Sequence, residues 1–506
     1  VTAFTTVELT QENEGVDFLR RNLVVLDTLE VGPVQLTKRQ LNAPYKVTRG
    51  GQTQTYDLIY RYAEGVFDPN DLSCQNLASM IAAQVALNYG LFCKQIVFHG
   101  PFDRQDRQFL RKAMENTSRE IYVKKFLQPN PFLQGPASQL PPIKLAAYTQ
   151  ADVAFSSPIP RQGQRPSTWS ANSSRYAVLS SGGKDSLLSF ALLQELQYQV
   201  DPLFVNESGR HWYTAMNAFR HFKEAVPQTA KVWTNSDRLF TWMLRQLPFV
   251  RENFADMRSD EYPIRLWTVA VFLFGVLPLM RKRGIGHLVI GDEYDTTSLA
   301  YYKGIPHYNG LYDQSRYFDL AMTRYFAHKG WGIRQYSILR HLSELLIMKI
   351  LVERYPHIQR WQTSCHATHL EDGRALPCGR CEKCRRIVCM MTALGADPTQ
   401  CGYKQSQVQP SLEGLARHGI HQETAEKQHL AYLLSTRVTL PPGFGKPQPT
   451  PVALKLRIHP KRAALSDLHE AIREPLFAIF AQHGEGFLMR EGHRWVPFDP
   501  FRAPSV

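Results

Sequence analysis

Two short stretches carry residues whose types and spacing can do chemistry. The first is "SSGGKDS" (180–186), which follows the apolar run "RYAVLS" and opens onto a helical apolar pattern. Gly182 and Gly183 let the backbone bend sharply and approach a ligand closely. Successive backbone N–H groups then form an anion-binding nest at a helix start, reinforced by the helix dipole. Lys184 adds positive charge, and the Ser181 and Ser186 hydroxyls are further donors. Asp185 beside a phosphate site fits a residue that helps hold Mg²⁺ or fixes the loop. The stretch is not G-x-x-x-x-G-K-[ST] and not G-x-G-x-x-G. The plain alternative is a glycine-containing turn with incidental serines.

The second stretch is "TSCHATHLEDGRALPCGRCEKCRR" (363–386). Cys365 is followed by Cys378, Cys381 and Cys384 at C-x2-C-x2-C spacing. Four thiolates close a tetrahedral zinc site with no open position, which makes such a zinc structural. Three close cysteines plus a remote one also suit a [4Fe–4S] cluster. Core cysteines are the plain alternative. Arg380, Lys383, Arg385 and Arg386 offset the negative charge of a four-thiolate centre, and His366 and His369 flank Cys365.

These residues need elements to position them. From residue 175 the pattern alternates strand and helix, with strands expected at 175–180, 201–208, 230–235 and 285–293. Alternation of this kind implies an α/β fold, a doubly wound parallel sheet covered on both faces. Ligands bind there at the carboxyl ends of the strands, where "SSGGKDS" lies. Asp292, Glu293 and Asp295 follow the fourth expected strand, where carboxylates hold Mg²⁺ or substrate or simply make a solvated turn. With Arg265 and Lys303 they are the candidate substrate pocket. Tyr301, Tyr302, His307, Tyr308 and Tyr312 form an aromatic loop suited to stacking on a ring or to packing.

The chain divides into an N-terminal α/β domain (1–127), a Pro/Ser/Gln-rich linker or arm (128–173), the loop-bearing domain with the cysteine motif (174–402), and a C-terminal extension (403–506) with a linker near 440–452. In the first, strands are expected at 55–65 and 94–100, and helices at 72–92, capped by Asp71, and from 103.

The 506 residues carry a net charge of +14, which suggests an acidic partner or only a basic surface; nucleic acid is possible but not favoured. The longest apolar run, 266–280, is too short to span a membrane and contains Pro278, so it reads as a buried helix. The N-terminus lacks the basic and apolar regions of a signal peptide, and Val1 leaves room for an upstream segment. Clustered cysteines argue for a metal in a reducing compartment, hence a cytoplasmic location, rather than a disulfide framework.

"SGGKDS" (181–186) resembles the SGGxDS loop of the PP-loop ATP pyrophosphatase superfamily, matching every fixed position. The resemblance implies that ATP is split into AMP and pyrophosphate. Ser181, Gly182, Gly183, Lys184, Asp185 and Ser186 would hold the pyrophosphate, the adenine would lie near Val205 and Asn206, and Mg²⁺ would bridge the phosphates. The cysteine motif is similar to that of the 7-cyano-7-deazaguanine synthases, which carry Ser-Cys and then Cys-Gly-x-Cys-x-x-Cys. "YPIR" (262–265), read as lying on the helix before the fourth strand, resembles their Pro-x-Arg signature, and "GDEYD" (291–295) their Gly-x-x-x-Asp. The catalytic residues so implied are Lys184, Asp185 and Arg265; the metal ligands are Cys365, Cys378, Cys381 and Cys384. That family's Gly-Tyr-Pro-Asp-Cys-Arg segment is replaced by "TTSLAYYKGIPHYNGLYDQSRYFD" (296–319).

"RQYSILRHLSELLIMKIL" (334–351), the "HYNGLYDQSRYFD" run and the N-terminal domain resemble instead the UDP-N-acetylmuramoyl-L-alanyl-L-glutamate epimerases, which activate a glutamate carboxylate with ATP. Defence-island relatives of the deazaguanine synthase carry extensions and act on protein partners. All three imply adenylation of a small-molecule or peptide carboxylate. The other readings are a tRNA-modifying PP-loop enzyme and a nucleotide-binding subunit whose partner does the chemistry.

Overall fold

The computed structural model describes residues 6–158, 168–257 and 264–502. Strands Asn172–Ser180, Gln199–Asn206, Ala230–Thr234 and Ile285–Val289 run parallel, joined by a fifth, Arg334–Tyr336. In space the order is Arg334–Tyr336, Ile285–Val289, Asn172–Ser180, Gln199–Asn206, Ala230–Thr234. The chain enters in the middle, winds to one side, and then continues on the other. Strand order therefore reverses between Asn172–Ser180 and Ile285–Val289, and the crevice that such a reversal opens lies at their carboxyl ends.

Side chains on these strands alternate between two cores, as the pleat requires. Tyr176 and Val178 enter one core and Ala177 the other. Val200 and Phe204 share the first, Leu203 and Val205 the second. Helices Lys184–Glu195, His211–Ala225 and Glu344–Arg354 cover one face; Ser236–Leu244 and Val269–Arg283 cover the other. The apolar run at 266–280 is the core of the Val269–Arg283 helix, with Leu273, Phe274, Val276 and Leu277 fully buried.

The sheet is mixed rather than purely parallel, and it does not stop at the expected domain border. Tyr60–Tyr62 of the Gln52–Tyr62 strand pair antiparallel with Val232–Thr234. Through this seam the N-terminal strands Gln40–Arg49, Leu26–Val31 and Cys93–Phe98 extend the same sheet, to eleven strands in all. Ion pairs weld the seam: Arg281 to Asp71, Arg283 to Glu64 and Asp201, and Lys329 to Asp103 and Asp106. Asp71 caps Leu72–Ala83 by accepting from Ser73 N, as expected, but this helix ends at Ala83 and a 3-10 turn, Val85–Tyr89, follows.

Residues 128–158 are a packed arm. Phe132, Leu133, Leu140 and Tyr148 are buried, and Asp152–Phe155 forms the last strand of the sheet beside Cys93–Phe98. At the far end, Leu456–Ile458, Phe487–Glu491 and Arg494–Pro497 make a small separate sheet with the Glu470–His483 helix. No helix among the described residues is long and apolar enough to cross a membrane.

Candidate active site and metal centre

The "SSGGKDS" turn joins the Asn172–Ser180 strand to the Lys184–Glu195 helix, with Gly183 at the N-cap. Gly182 has φ 76°, and a Cβ there would meet the Thr214 carbonyl at 2.5 Å and Ala215 Cα at 2.8 Å. Only glycine fits this bend. Ser186 Oγ donates to the Gly183 carbonyl at 3.1 Å and accepts from Ser181 N at 3.4 Å, while Gly183 N donates to Ser181 Oγ at 3.4 Å. The two serines thus brace a loop whose first helical turn faces the crevice.

Lys184 does not point out of this loop. It is buried, and its ammonium donates to both Asp185 oxygens at 2.8 and 2.9 Å and pairs with Glu344 at 3.0 Å. Burial opposes its charge, but Asp185, Glu344 and Glu293 outweigh burial and raise its pKa above the ordinary lysine value. Glu344 opens the Glu344–Arg354 helix, which is capped by Ser343, and also receives Arg386 at 3.4 Å.

The exit of the Ile285–Val289 strand packs onto the loop: a Cβ on Gly291 would lie 2.6 Å from Asp185 Cβ. Glu293 follows, and burial pushes its carboxyl up to about 8, with Lys184 opposing and Asp185 and Asp295 adding repulsion. Asp295 accepts from Asn309 and is pushed up to about 6, chiefly by burial. Asp292 is placed differently from its neighbours. Its side chain turns inward to Arg340 at 3.2 Å, and Arg340 also binds Asp319 at 2.7 Å and the hydroxyls of Thr296 and Thr297 at 3.0 Å. It is a strut of the segment rather than a group facing the crevice. Lys303 is exposed at the turn of the Leu299–Tyr302/Ile305–Tyr308 hairpin, with φ 49°.

The other flank of the loop holds Val205, Asn206 and Arg265. Val205 packs into the core, and Asn206 Oδ1 accepts from Ser208 N at 2.9 Å. Arg265 lies not on a helix but in the irregular segment before Val269–Arg283; the preceding Tyr262 and Pro263 lie outside the described residues. Its guanidinium donates to Asp237 at 2.6 Å and stacks over Phe240. Glu207 and His211 join this flank. Burial pushes Glu207 up to about 7, with Asp237 adding repulsion, and its Oε1 finds no donor among the described residues. Burial, then Arg265 and Lys383, hold His211 down at about 3, so its ring is neutral. Ser208 between them takes φ 64°, a strained conformation of the kind that collects at functional sites.

The four cysteines converge as their spacing implies. One Sγ from each of Cys365, Cys378, Cys381 and Cys384 lies within 4.8 Å of the rest, and this is the one such group among the described residues. Sγ separations of 3.4 Å (Cys381–Cys384), 3.8 Å (Cys378–Cys384) and 4.0 Å (Cys365–Cys381) bracket the edge of about 3.8 Å set by a tetrahedron with metal–sulfur bonds of about 2.3 Å. A cubane would need each sulfur on a different iron and the set further apart. The donor set therefore fits one ion such as zinc. Gly379, at φ 70°, turns the chain so that Arg380 N and Cys381 N donate to Cys378 Sγ at 3.5 and 3.4 Å. Ala367 N and Cys378 N each reach Cys365 Sγ at 3.2 Å. Hydrogen bonding, first of all with Cys365, holds the Cys378 thiol far below the ordinary range.

Metal centre and loop touch. Thr363 N donates to the Gly182 carbonyl at 3.0 Å, and Ser364 Oγ lies 3.7 Å from where a Gly183 Cβ would stand. Sequence reasoning missed Glu344, Glu207 and His211, and named Arg386 only as a counter-charge to the thiolates. The signal for Glu344 is a Ser-Glu helix start just after a strand end at the same sheet edge. Glu207 and His211 follow Asn206 at the carboxyl end of the Gln199–Asn206 strand, the edge where ligands were expected. Compared with known proteins, the chain matches no family model and no curated protein.

Proposed function

We propose that this chain is an ATP-dependent enzyme of PP-loop type that adenylates a substrate carboxylate. A carboxylate oxygen attacks the α-phosphorus of ATP, the bond from that phosphorus to the α–β bridging oxygen breaks, and pyrophosphate leaves with the electron pair. The product is acyl-AMP, which an amine, ammonia or a base then consumes. The observation that carries this reading is the position of the SGGKDS loop, braced at a helix start beside the reversal of strand order. Donors fixed in advance around a leaving group stabilise the charge that develops on it.

Backbone N–H groups of 181–184 and the two serines suit the pyrophosphate. The Asn206–His211 turn and Arg265 flank it on the side where the nucleoside and the acid would lie. Asp185 and Glu293 are the carboxylates that would hold Mg²⁺, which would neutralise phosphate charge. Lys184 acts from below: paired to Asp185 and Glu344, it fixes the carboxylate rather than the phosphate. The four cysteines fit zinc, which would cross-link the 365–384 segment and take no part in the chemistry. The reaction class is shared by the deazaguanine and muropeptide readings, so the test is run with a panel of acids.

Purified protein, Mg²⁺ and ATP should give acid-dependent exchange of labelled pyrophosphate into ATP. Asp185→Asn should lose exchange by at least about 100-fold while keeping its far-UV spectrum. Equal exchange in that variant would refute the assignment. Tight, salt-sensitive RNA binding without AMP formation, or partner binding alone, would do the same.

A further inference from the structure

Glu293, Tyr294 and Asp295 set a ring between two carboxyls of the candidate site. Tyr294 is 1% exposed, and its N–H donates to the Leu342 carbonyl at 2.9 Å, just before the Ser343 cap of the Glu344–Arg354 helix. The C-terminal sheet meets this ring from outside. The Arg457 guanidinium lies 3.9 Å from the ring centroid, and the Trp495 ring 6.2 Å from it. The strand pleat puts Arg457 there: Leu456 enters the core with Phe477 and Phe480, so the next side chain faces the other way. Glu423 at 2.6 Å and Glu426 at 3.7 Å hold the guanidinium in place. The same seam is closed by Arg457 N on the His341 carbonyl at 2.9 Å, Arg462 on Ser298 Oγ at 3.1 Å, and the Arg316–Asp467 pair at 2.6 Å.

We propose that the C-terminal sheet belongs to the active site: Arg457 and Trp495 are positioning residues that clamp Tyr294 and so fix Glu293 for a divalent cation. This rests on the ATP reading above. Glu293 sits between two fixed points. On one side Gly291 abuts Asp185, where an added Cβ would stand 2.6 Å from the Asp185 Cβ; on the other Tyr294 is clamped. Mg²⁺ demands near-ideal octahedral geometry, so its carboxylate ligands must be held from behind. The extension then has a definite use: it sets one cation ligand in register with Asp185, more than a hundred residues earlier in the chain.

Two titrations on the full chain test this: Mn²⁺ binding in the presence of ATP, followed by electron paramagnetic resonance, and pyrophosphate binding without added divalent metal, followed by calorimetry. Arg457→Met is expected to bind Mn²⁺ about tenfold more weakly, the scale set by partners behind a metal ligand, with metal-free pyrophosphate affinity unchanged. Arg457→Lys should recover part of the loss. Trp495→Ala, at a half-buried position, should lose about threefold in Mn²⁺ affinity alone, and it decides the matter if Arg457→Met does not fold. Unchanged Mn²⁺ affinity in the folded variants would overturn the proposal. So would an equal loss of metal-free pyrophosphate binding, because the sheet would then support the fold as a whole. Wild type that shows no ATP-dependent Mn²⁺ binding removes the ATP reading itself, whereas wild-type binding with indifferent variants removes only this inference.

Discussion

The metal centre and the anion loop lie side by side and are built in opposite ways. The centre takes all four ligands from twenty residues, 365–384; backbone N–H groups reach Cys365, Cys378 and Cys381, and Cys384 lies against Cys378 and Cys381. The loop draws its surroundings from five separate places: Lys184–Asp185, Glu207–His211, Arg265, Glu293–Asp295 and Glu344. There, several carboxyls are pushed upward, and Glu207 keeps an unmatched oxygen. A saturated site gives stability. A site with unmet electrostatic demand gives less stability and leaves something for a ligand to supply.

The largest expected effect is on the saturated side. Cys384→Ser, at a fully buried ligand, should drop the metal content from about one ion per chain and lower the thermal midpoint more than any other single change considered. Elemental analysis and calorimetry check it; a variant that keeps both would show that the thiols are only core residues. Next is the buried pair under the loop. Lys184→Met leaves Asp185 without its cation and Glu344 with Arg386 alone, and should cost about 3 kcal/mol in urea unfolding, with metal retained. A neutral result would mean that the loop is as self-sufficient as the centre.

A pH effect follows from the raised carboxyls. Glu293 titrates at about 8 in the fold against an ordinary 4.5, so the folded chain holds a proton that the unfolded chain releases. Its penalty is absent below about 4.5, grows as pH rises, and levels off above 8. Between pH 7 and 8 stability should fall with rising pH by up to about 1.4 kcal/mol per unit from this group. Glu293→Gln should flatten that fall. An unchanged slope would place the proton elsewhere. The smallest effect is at Cys389, buried but outside the cluster: Cys389→Ser should keep full metal content and lose about 1 kcal/mol.

What the sequence showed follows the same division. Ligand spacing is local, so the cysteine centre was legible, and so was the loop, whose glycines and serines serve one bend. The four longer parallel strands were legible from their apolar runs. Arg334–Tyr336 has three residues, too few for a period. The pairing of Tyr60–Tyr62 with Val232–Thr234 joins segments 170 residues apart, and no local pattern marks it. Asp292 and Glu293 look alike in sequence. Arg340, forty-eight positions on, takes one inward and leaves the other at the crevice. Lys303 read as a pocket lysine because it follows the same strand, but the Leu299–Tyr308 hairpin carries it to an exposed turn.

The central claim is that the loop grips pyrophosphate, and which bond of ATP is cut tests it most directly. Products formed from ATP by the wild-type chain, with Mg²⁺ and a panel of carboxylic acids, can be identified by phosphorus NMR. The account predicts AMP and pyrophosphate, both lost in Asp185→Asn. ADP and inorganic phosphate would contradict it.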